Sequence, residues 1–117
     1  MSCEYLEEAK ALLSAQGVSD SNITTAAVLT GIALERRLRR LWVEHHADGG
    51  ATDKPKRLML VIDELRKANV INETKAKQLR AWADIRNQAA HGNQEQFSAN
   101  DLQYMIDGVK GFLAEQI

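Results

Sequence analysis

The sequence predicts an all-α protein, a single-domain bundle of about five helices. Alanine, leucine, glutamate, lysine and arginine are abundant, whereas there is one proline and only 5% of the residues are aromatic. Apolar residues recur at helical spacing in five stretches, and none of these stretches shows the alternation of a strand. A chain of 117 residues fits one domain, residues 1–117, around one core.

The first two predicted helices are separated by a polar cluster. The first helix covers about residues 2 to 16, and Gly17 follows as a stop. The second reaches to about His46, where a glycine pair breaks it. Its possible N-caps are Ser19, Asp20, Ser21 and Asn22. Its apolar stripe consists of Ile23, Ala27, Thr30, Leu34, Leu38 and Leu41.

Three further helices are predicted after a polar loop at residues 47–54. Pro55 suits the first turn of the third helix, whose apolar residues are Leu58, Val61, Ile62 and Leu65. Asn72 caps a fourth helix from about 73 to 91, and Gly92 ends it. Ser98 and Asp101 form a capping box for the fifth. The apolar face of that last helix consists of Leu102, Met105, Ile106, Val109, Phe112 and Leu113.

Composition narrows the classes of function. Fifteen basic residues meet 16 acidic residues, so any site for a polyanion must be local. Cys3 is the only cysteine, which rules out an intramolecular disulfide and a four-thiolate zinc site and favours a reducing compartment. The start, MSCEYLEEAK, is unlike a signal peptide, and no stretch has the length of a membrane span. We therefore expect a cytoplasmic protein.

Arg86 occupies an unexpected position on the fourth helix. With Leu79 at 0° and about 100° per residue, Arg86 falls near 340°, inside the apolar arc. Burying an unpaired guanidinium costs several kcal/mol, and arginine cannot relieve that cost by losing its proton. Arg86 must therefore meet a carboxylate, open into a cleft or face a partner molecule. Glu35 on the second helix is the carboxylate that we expect to reach it.

His91 lies five residues further on, about 140° away from Arg86 on a regular helix. Asn87 and His91 form an i,i+4 pair, so the amide can hold the imidazole. Gly92 can adopt a left-handed conformation and turn the histidine back toward the arginine. The alternative is an ordinary histidine in the last turn, where the helix dipole favours it.

The segment RNQAAH, Arg86 to His91, resembles the R-x4-H motif of HEPN domains, commonly R-N-x-x-x-H, on the penultimate helix of a small all-α bundle. The stretch AAVLTGIALERRLRRL, residues 26–41, resembles the long helix that precedes the motif in many members. The similarity runs from about Asn22 to the C-terminus. It implies a metal-independent endoribonuclease, often a toxin, antiviral factor or mobile-element passenger, that cleaves single-stranded RNA as a homodimer with a composite site.

The resemblance also implies roles for the motif residues. His91 moves a proton to or from the 2′-hydroxyl or the leaving 5′-oxygen, and Arg86 stabilises charge on the phosphate. Asn87 positions the histidine or contacts the phosphate. The expected partners are RNA or a nucleotide and an antitoxin or nucleotidyltransferase, without DNA, membrane or cofactor. Some relatives carry a tyrosine two positions after the histidine as a modification target, but Asn93 stands there in this chain.

Two readings remain open beside the nuclease. A non-catalytic HEPN-like module would bind a nucleotide, RNA or protein, and an adaptor domain would need only amphipathic faces. Arg36 and Arg40, at i,i+4, either guide RNA phosphates, with Lys54, Lys56 and Arg57 extending that surface, or form a solvated face. His45 and His46 lack the i,i+4 spacing of a helical chelate, so no metal site is predicted.

Overall fold

A computed structural model describes residues 2–14, 20–45, 57–92 and 97–115, and the side chains of 4–13, 22–45, 57–92 and 97–115. These ranges contain no strand. The five helices are α1 Ser2–Ser14, α2 Asp20–His45, α3 Leu58–Lys67, α4 Glu73–Ala90 and α5 Ala99–Glu115. The predicted all-helical architecture of five helices is confirmed. None of these helices has the length and hydrophobicity of a bilayer-spanning segment.

The long helix α2 lies at the centre of the bundle and contacts each of the other four helices. One hydrophobic core joins all five, and apolar burial of this kind is the main force that holds the helices together. Its largest fully buried side chains include Leu34, Leu38, Ile62, Leu79, Met105 and Phe112. Among the described residues, Thr30 is the one buried polar residue. Its hydroxyl donates to the Ala26 carbonyl oxygen at 2.8 Å.

The starts of the last two helices follow the predicted capping chemistry. The side-chain oxygen of Asn72 accepts from the Lys75 backbone N–H at 2.7 Å. Before α5, the Ser98 hydroxyl accepts from the Asp101 backbone N–H at 3.1 Å, and the Asp101 carboxylate accepts from the Ser98 N–H at 2.9 Å. The predicted capping box is therefore confirmed.

Other helix ends differ from the prediction by a few residues. Helix α1 ends at Ser14, and α2 begins at Asp20, so Ser21 and Asn22 belong to its first turn and do not precede it. Several residues can cap in such a polar cluster, and the pattern alone does not choose among them. Helix α3 begins at Leu58, after Arg57 as N-cap. Gly17, Ser19, Pro55 and the predicted loop at 47–54 lie outside the described residues.

Candidate functional site

A cleft of about 540 Å³ opens where the middle of α2, the start of α3 and the end of α4 meet. That volume is in the range of small-molecule sites, about 300–1,000 Å³. Both predicted catalytic residues line it. The described residues around the cleft are Glu35, Arg57, Leu58, Met59, Arg86, Asn87 and His91.

Arg86 meets a carboxylate and faces the cleft at once. Its Nη2 lies 3.0 Å from Glu35 Oε1, and its Nη1 donates to Asn87 Oδ1 at 3.3 Å. The Arg86 side chain is 33% exposed, so the guanidinium is partly shielded without being sealed in the core. The expected pairing with Glu35 is therefore present, which explains how an arginine is tolerated inside the apolar arc of α4.

Gly31 on α2 makes room for the Arg86 stem. A Cβ atom on Gly31 would fall 2.2 Å from Arg86 Cγ and 3.0 Å from Arg86 Cβ, both far too close for ordinary contact. Glycine inside a helix is about 1 kcal/mol less favourable than alanine, so its position needs a reason. Gly31 was not among the residues predicted to belong to the site. The available signal was a glycine in the middle of a long helix, one turn before Glu35.

Glu35 is shared between two arginines. Its second oxygen, Oε2, accepts from Arg39 Nε at 2.8 Å, while Oε1 pairs with Arg86. The Glu35 side chain is 23% exposed, so both contacts form where solvent screens only in part. Arg57 also faces the cleft, and no described carboxylate pairs with it. The described lining of the cleft therefore holds two arginines and one carboxylate.

His91 ends α4 at the edge of the cleft. Its backbone N–H donates to the Asn87 carbonyl oxygen at 3.1 Å, and Gly92 follows with a φ of 76°. Gly92 thus takes the left-handed conformation that was expected of it. The imidazole is exposed and lines the same cleft as Arg86. The Asn87 amide oxygen bonds Arg86, and no bond between the Asn87 side chain and His91 is present among the described residues.

Arg36 and Arg40 point away from the cleft. The Arg36 guanidinium lies over the Tyr5 ring of α1 at 5.8 Å from its centroid, and Arg40 Nε pairs with Glu44 Oε1 at 3.4 Å. Because adjacent helical residues differ by about 100°, Arg36 cannot share the orientation of Glu35. Neither arginine is among the described lining residues of the cleft. Lys54 and Lys56, the expected extensions of their surface, lie outside the described residues.

The family of the chain follows from a domain model that covers most of its length. A model described as a domain of unknown function, DUF4145, matches residues 14–117. The chain belongs to the DUF4145 family. The match includes α2 to α5, and therefore every residue that lines the cleft of this DUF4145 domain. No curated protein and no solved structure matches it.

Metal ligands are not grouped in the described part of the DUF4145 domain. Its described residues contain no group of three or more His, Cys, Asp or Glu side chains that could hold a metal ion. His45 is exposed at the end of α2, and His46 lies outside the described residues. The chemistry that the cleft offers is a guanidinium fork for an anion and an imidazole for proton transfer.

Proposed function

We propose that this DUF4145 domain is a HEPN-like, metal-independent endoribonuclease that cleaves single-stranded RNA. One observation carries the proposal. Arg86 and His91 are about 140° apart on a regular helix, yet both line the same cleft, together with Asn87. Their presence in one cleft supports the proposal, because the two members of a catalytic pair must reach the same substrate.

The proposed reaction transfers the phosphate ester within the RNA strand. The 2′-oxygen forms a bond to phosphorus, the bond from phosphorus to the 5′-oxygen breaks, and the products are a 2′,3′-cyclic phosphate and a 5′-hydroxyl. The imidazole of His91 takes the 2′-hydroxyl proton and returns a proton to the leaving 5′-oxygen. The Arg86 fork binds the phosphate oxygens as negative charge develops on them.

The second contact of Glu35 explains how Arg86 can exchange the Glu35 carboxylate for a substrate phosphate. When a phosphate binds the arginine, the Glu35 carboxylate keeps its bond to Arg39 and is not left unpaired. The homodimer belongs to the same proposal: the Arg86–His91 motifs of the two subunits face each other across a two-fold axis, so that both copies contribute to the site. Cytoplasmic action as a toxin or antiviral factor, controlled by an antitoxin or nucleotidyltransferase, belongs to the same proposal.

The test is RNA cleavage in excess chelator by three proteins: the wild type, His91→Ala and the control His45→Ala. His45 is an exposed histidine at the end of α2 that does not line the cleft. We expect cleavage by the wild type and by His45→Ala, and a rate about 10²–10⁴-fold lower for His91→Ala. Equal cleavage by all three proteins, or cleavage by none, would contradict the nuclease proposal.

A second candidate function is a non-catalytic module that binds a nucleotide, RNA or a protein. The ion pair between Arg86 and Glu35 favours it, because this contact satisfies the arginine without any substrate. The same experiment separates the candidates if RNA binding is measured alongside cleavage. Binding that depends on Arg86, without any cleavage, would support the module.

A further inference from the structure

The edge of the cleft at the start of α3 has features that the proposed reaction leaves unused. The Arg57 carbonyl oxygen accepts the first helical hydrogen bonds, from Leu60 N–H at 3.0 Å and Val61 N–H at 3.2 Å. These bonds fix the Arg57 backbone in an extended conformation, with φ −99° and ψ 139°. Its exposed side chain lines the cleft that contains Arg86.

The charges of Arg57 and Arg86 are available to different degrees. Glu35 Oε1 lies 3.0 Å from Arg86 Nη2 and offsets its charge, whereas no described carboxylate pairs with Arg57. Among the described residues, an approaching phosphate meets a competing carboxylate at Arg86 and none at Arg57. Arg57 is therefore the more accessible of the two arginines in the described lining of the cleft.

Next to Arg57 the lining becomes apolar. Leu58 is buried and Met59 is partly buried against the core, and both line the cleft. A methionine thioether is adaptable and makes favourable contacts with aromatic rings. A charged group for phosphate beside an apolar surface for a ring is the combination that recognition of an unpaired nucleotide requires.

We propose that Arg57 and Met59 form a second nucleotide subsite of the cleft. Arg57 binds a phosphate that neighbours the one held by Arg86, and Met59 packs against the base attached to it. The occupant is one unpaired nucleotide of single-stranded RNA beside the cleaved bond. The subsite rests on the proposed function for its substrate, and its role is binding, without proton transfer.

The test measures binding of single-stranded RNA whose riboses are 2′-O-methylated, since this RNA cannot undergo the proposed cleavage. Arg57→Ala is compared with Lys77→Ala, which removes one positive charge from an exposed lysine of α4 outside the cleft. We expect binding about tenfold weaker for Arg57→Ala and a salt slope lower by about one. For Lys77→Ala we expect less than about a twofold change. Arg57→Lys should recover part of the loss.

Met59→Ala and the cleavage kinetics complete the test. Met59→Ala should weaken binding about threefold without changing the salt slope, since it removes packing and no charge. With cleavable RNA, Arg57→Ala should raise KM and leave kcat unchanged, which a structural defect would not do. Thermal unfolding checks that each variant folds.

The outcomes separate this subsite from the nuclease. Equal binding by Arg57→Ala and Lys77→Ala overturns the subsite, even if cleavage depends on His91. Arg57-dependent binding without cleavage keeps the subsite and overturns the nuclease. If folded wild-type protein does not bind the methylated RNA, the subsite is wrong.

Discussion

The two halves of α4 carry two clusters of charged side chains with different balances. In its first half, Arg80 contacts Asp63 of α3 at 3.0 Å and Glu73 at 3.3 Å, and Glu73 also pairs with Arg66 at 3.2 Å. Two cations meet two carboxylates in this α3–α4 network. Every member has an oppositely charged partner, so the network needs no further ion.

The cleft at the other end of α4 is not balanced in this way. Its described lining contains two arginines, Arg57 and Arg86, but one carboxylate, that of Glu35, which also pairs with Arg39. The overall formal charge is −1, so this local excess does not reflect a basic protein. A balanced network stabilises helix packing, whereas an unbalanced one leaves capacity for an external anion.

The largest expected effect is on the rate of RNA cleavage, in a comparison of the two arginines of α4. Arg86→Ala should lower the rate of RNA cleavage about 10²–10³-fold, because the variant loses the fork that stabilises the phosphate. Arg80→Ala removes the same charge from the α3–α4 network and should leave the rate unchanged. Cleavage assays with both variants, alongside thermal unfolding, measure this contrast. Equal losses of activity would mean that the two clusters do not differ in function.

The next effect tests how α2 positions Arg86. Gly31→Ala places a Cβ atom 2.2 Å from Arg86 Cγ, so helix or side chain must shift, and we expect a loss of about 1–3 kcal/mol in the free energy of unfolding. The rate of RNA cleavage by Gly31→Ala should also fall. Gly111→Ala is the matched control, since no atom lies within 4 Å of its added Cβ. It should stabilise α5 by up to about 1 kcal/mol. Chemical denaturation of both variants gives the comparison, and stabilisation by both would contradict the close contact.

Periodicity and capping predicted most of the fold, because both are local properties of the chain. The five helices and the caps at Asn72 and Ser98 could be predicted in this way. The pairing of Arg86 with Glu35 was also among the predictions, since a carboxylate was one of three environments expected for an arginine in an apolar arc, and the long helix α2 offers Glu35. The HEPN-like character of this fold is not tested by these observations and stays a prediction.

The remaining site residues depend on how helices are placed relative to one another. Spacing puts Arg36 and Arg40 on one face, but packing turns that face toward α1 and solvent, where Tyr5 and Glu44 meet them. Arg57 reaches the cleft because α3 starts beside the end of α4. Residues 46–56 separate Arg57 from α2 in the sequence, and spacing alone does not determine which part of the bundle Arg57 reaches.

The smallest expected effect concerns the pH dependence of the α3–α4 network. The hydrogen bond from Arg80 lowers the pKa of Glu73 below its ordinary value, and the bond from Arg66 acts in the same direction. A carboxyl whose folded pKa is depressed contributes stability above its unfolded pKa and loses it as the pH falls through the folded value. Wild-type protein should therefore unfold at a higher temperature than Glu73→Gln at pH 7, and the gap should close in acid below the folded pKa.

The wild type and Glu73→Gln also test whether the α3–α4 network affects only stability and not RNA cleavage. Salt should narrow the difference in unfolding temperature at pH 7, because the charged side chains of the network are partly exposed to solvent. RNA cleavage at pH 7 should be equal for the wild type and Glu73→Gln, because Glu73 contacts no lining residue of the cleft in the described structure. A gap that is constant from neutral to acid pH would show that Glu73 acts through packing and not through its charge. A loss of cleavage would show that the two ends of α4 are coupled.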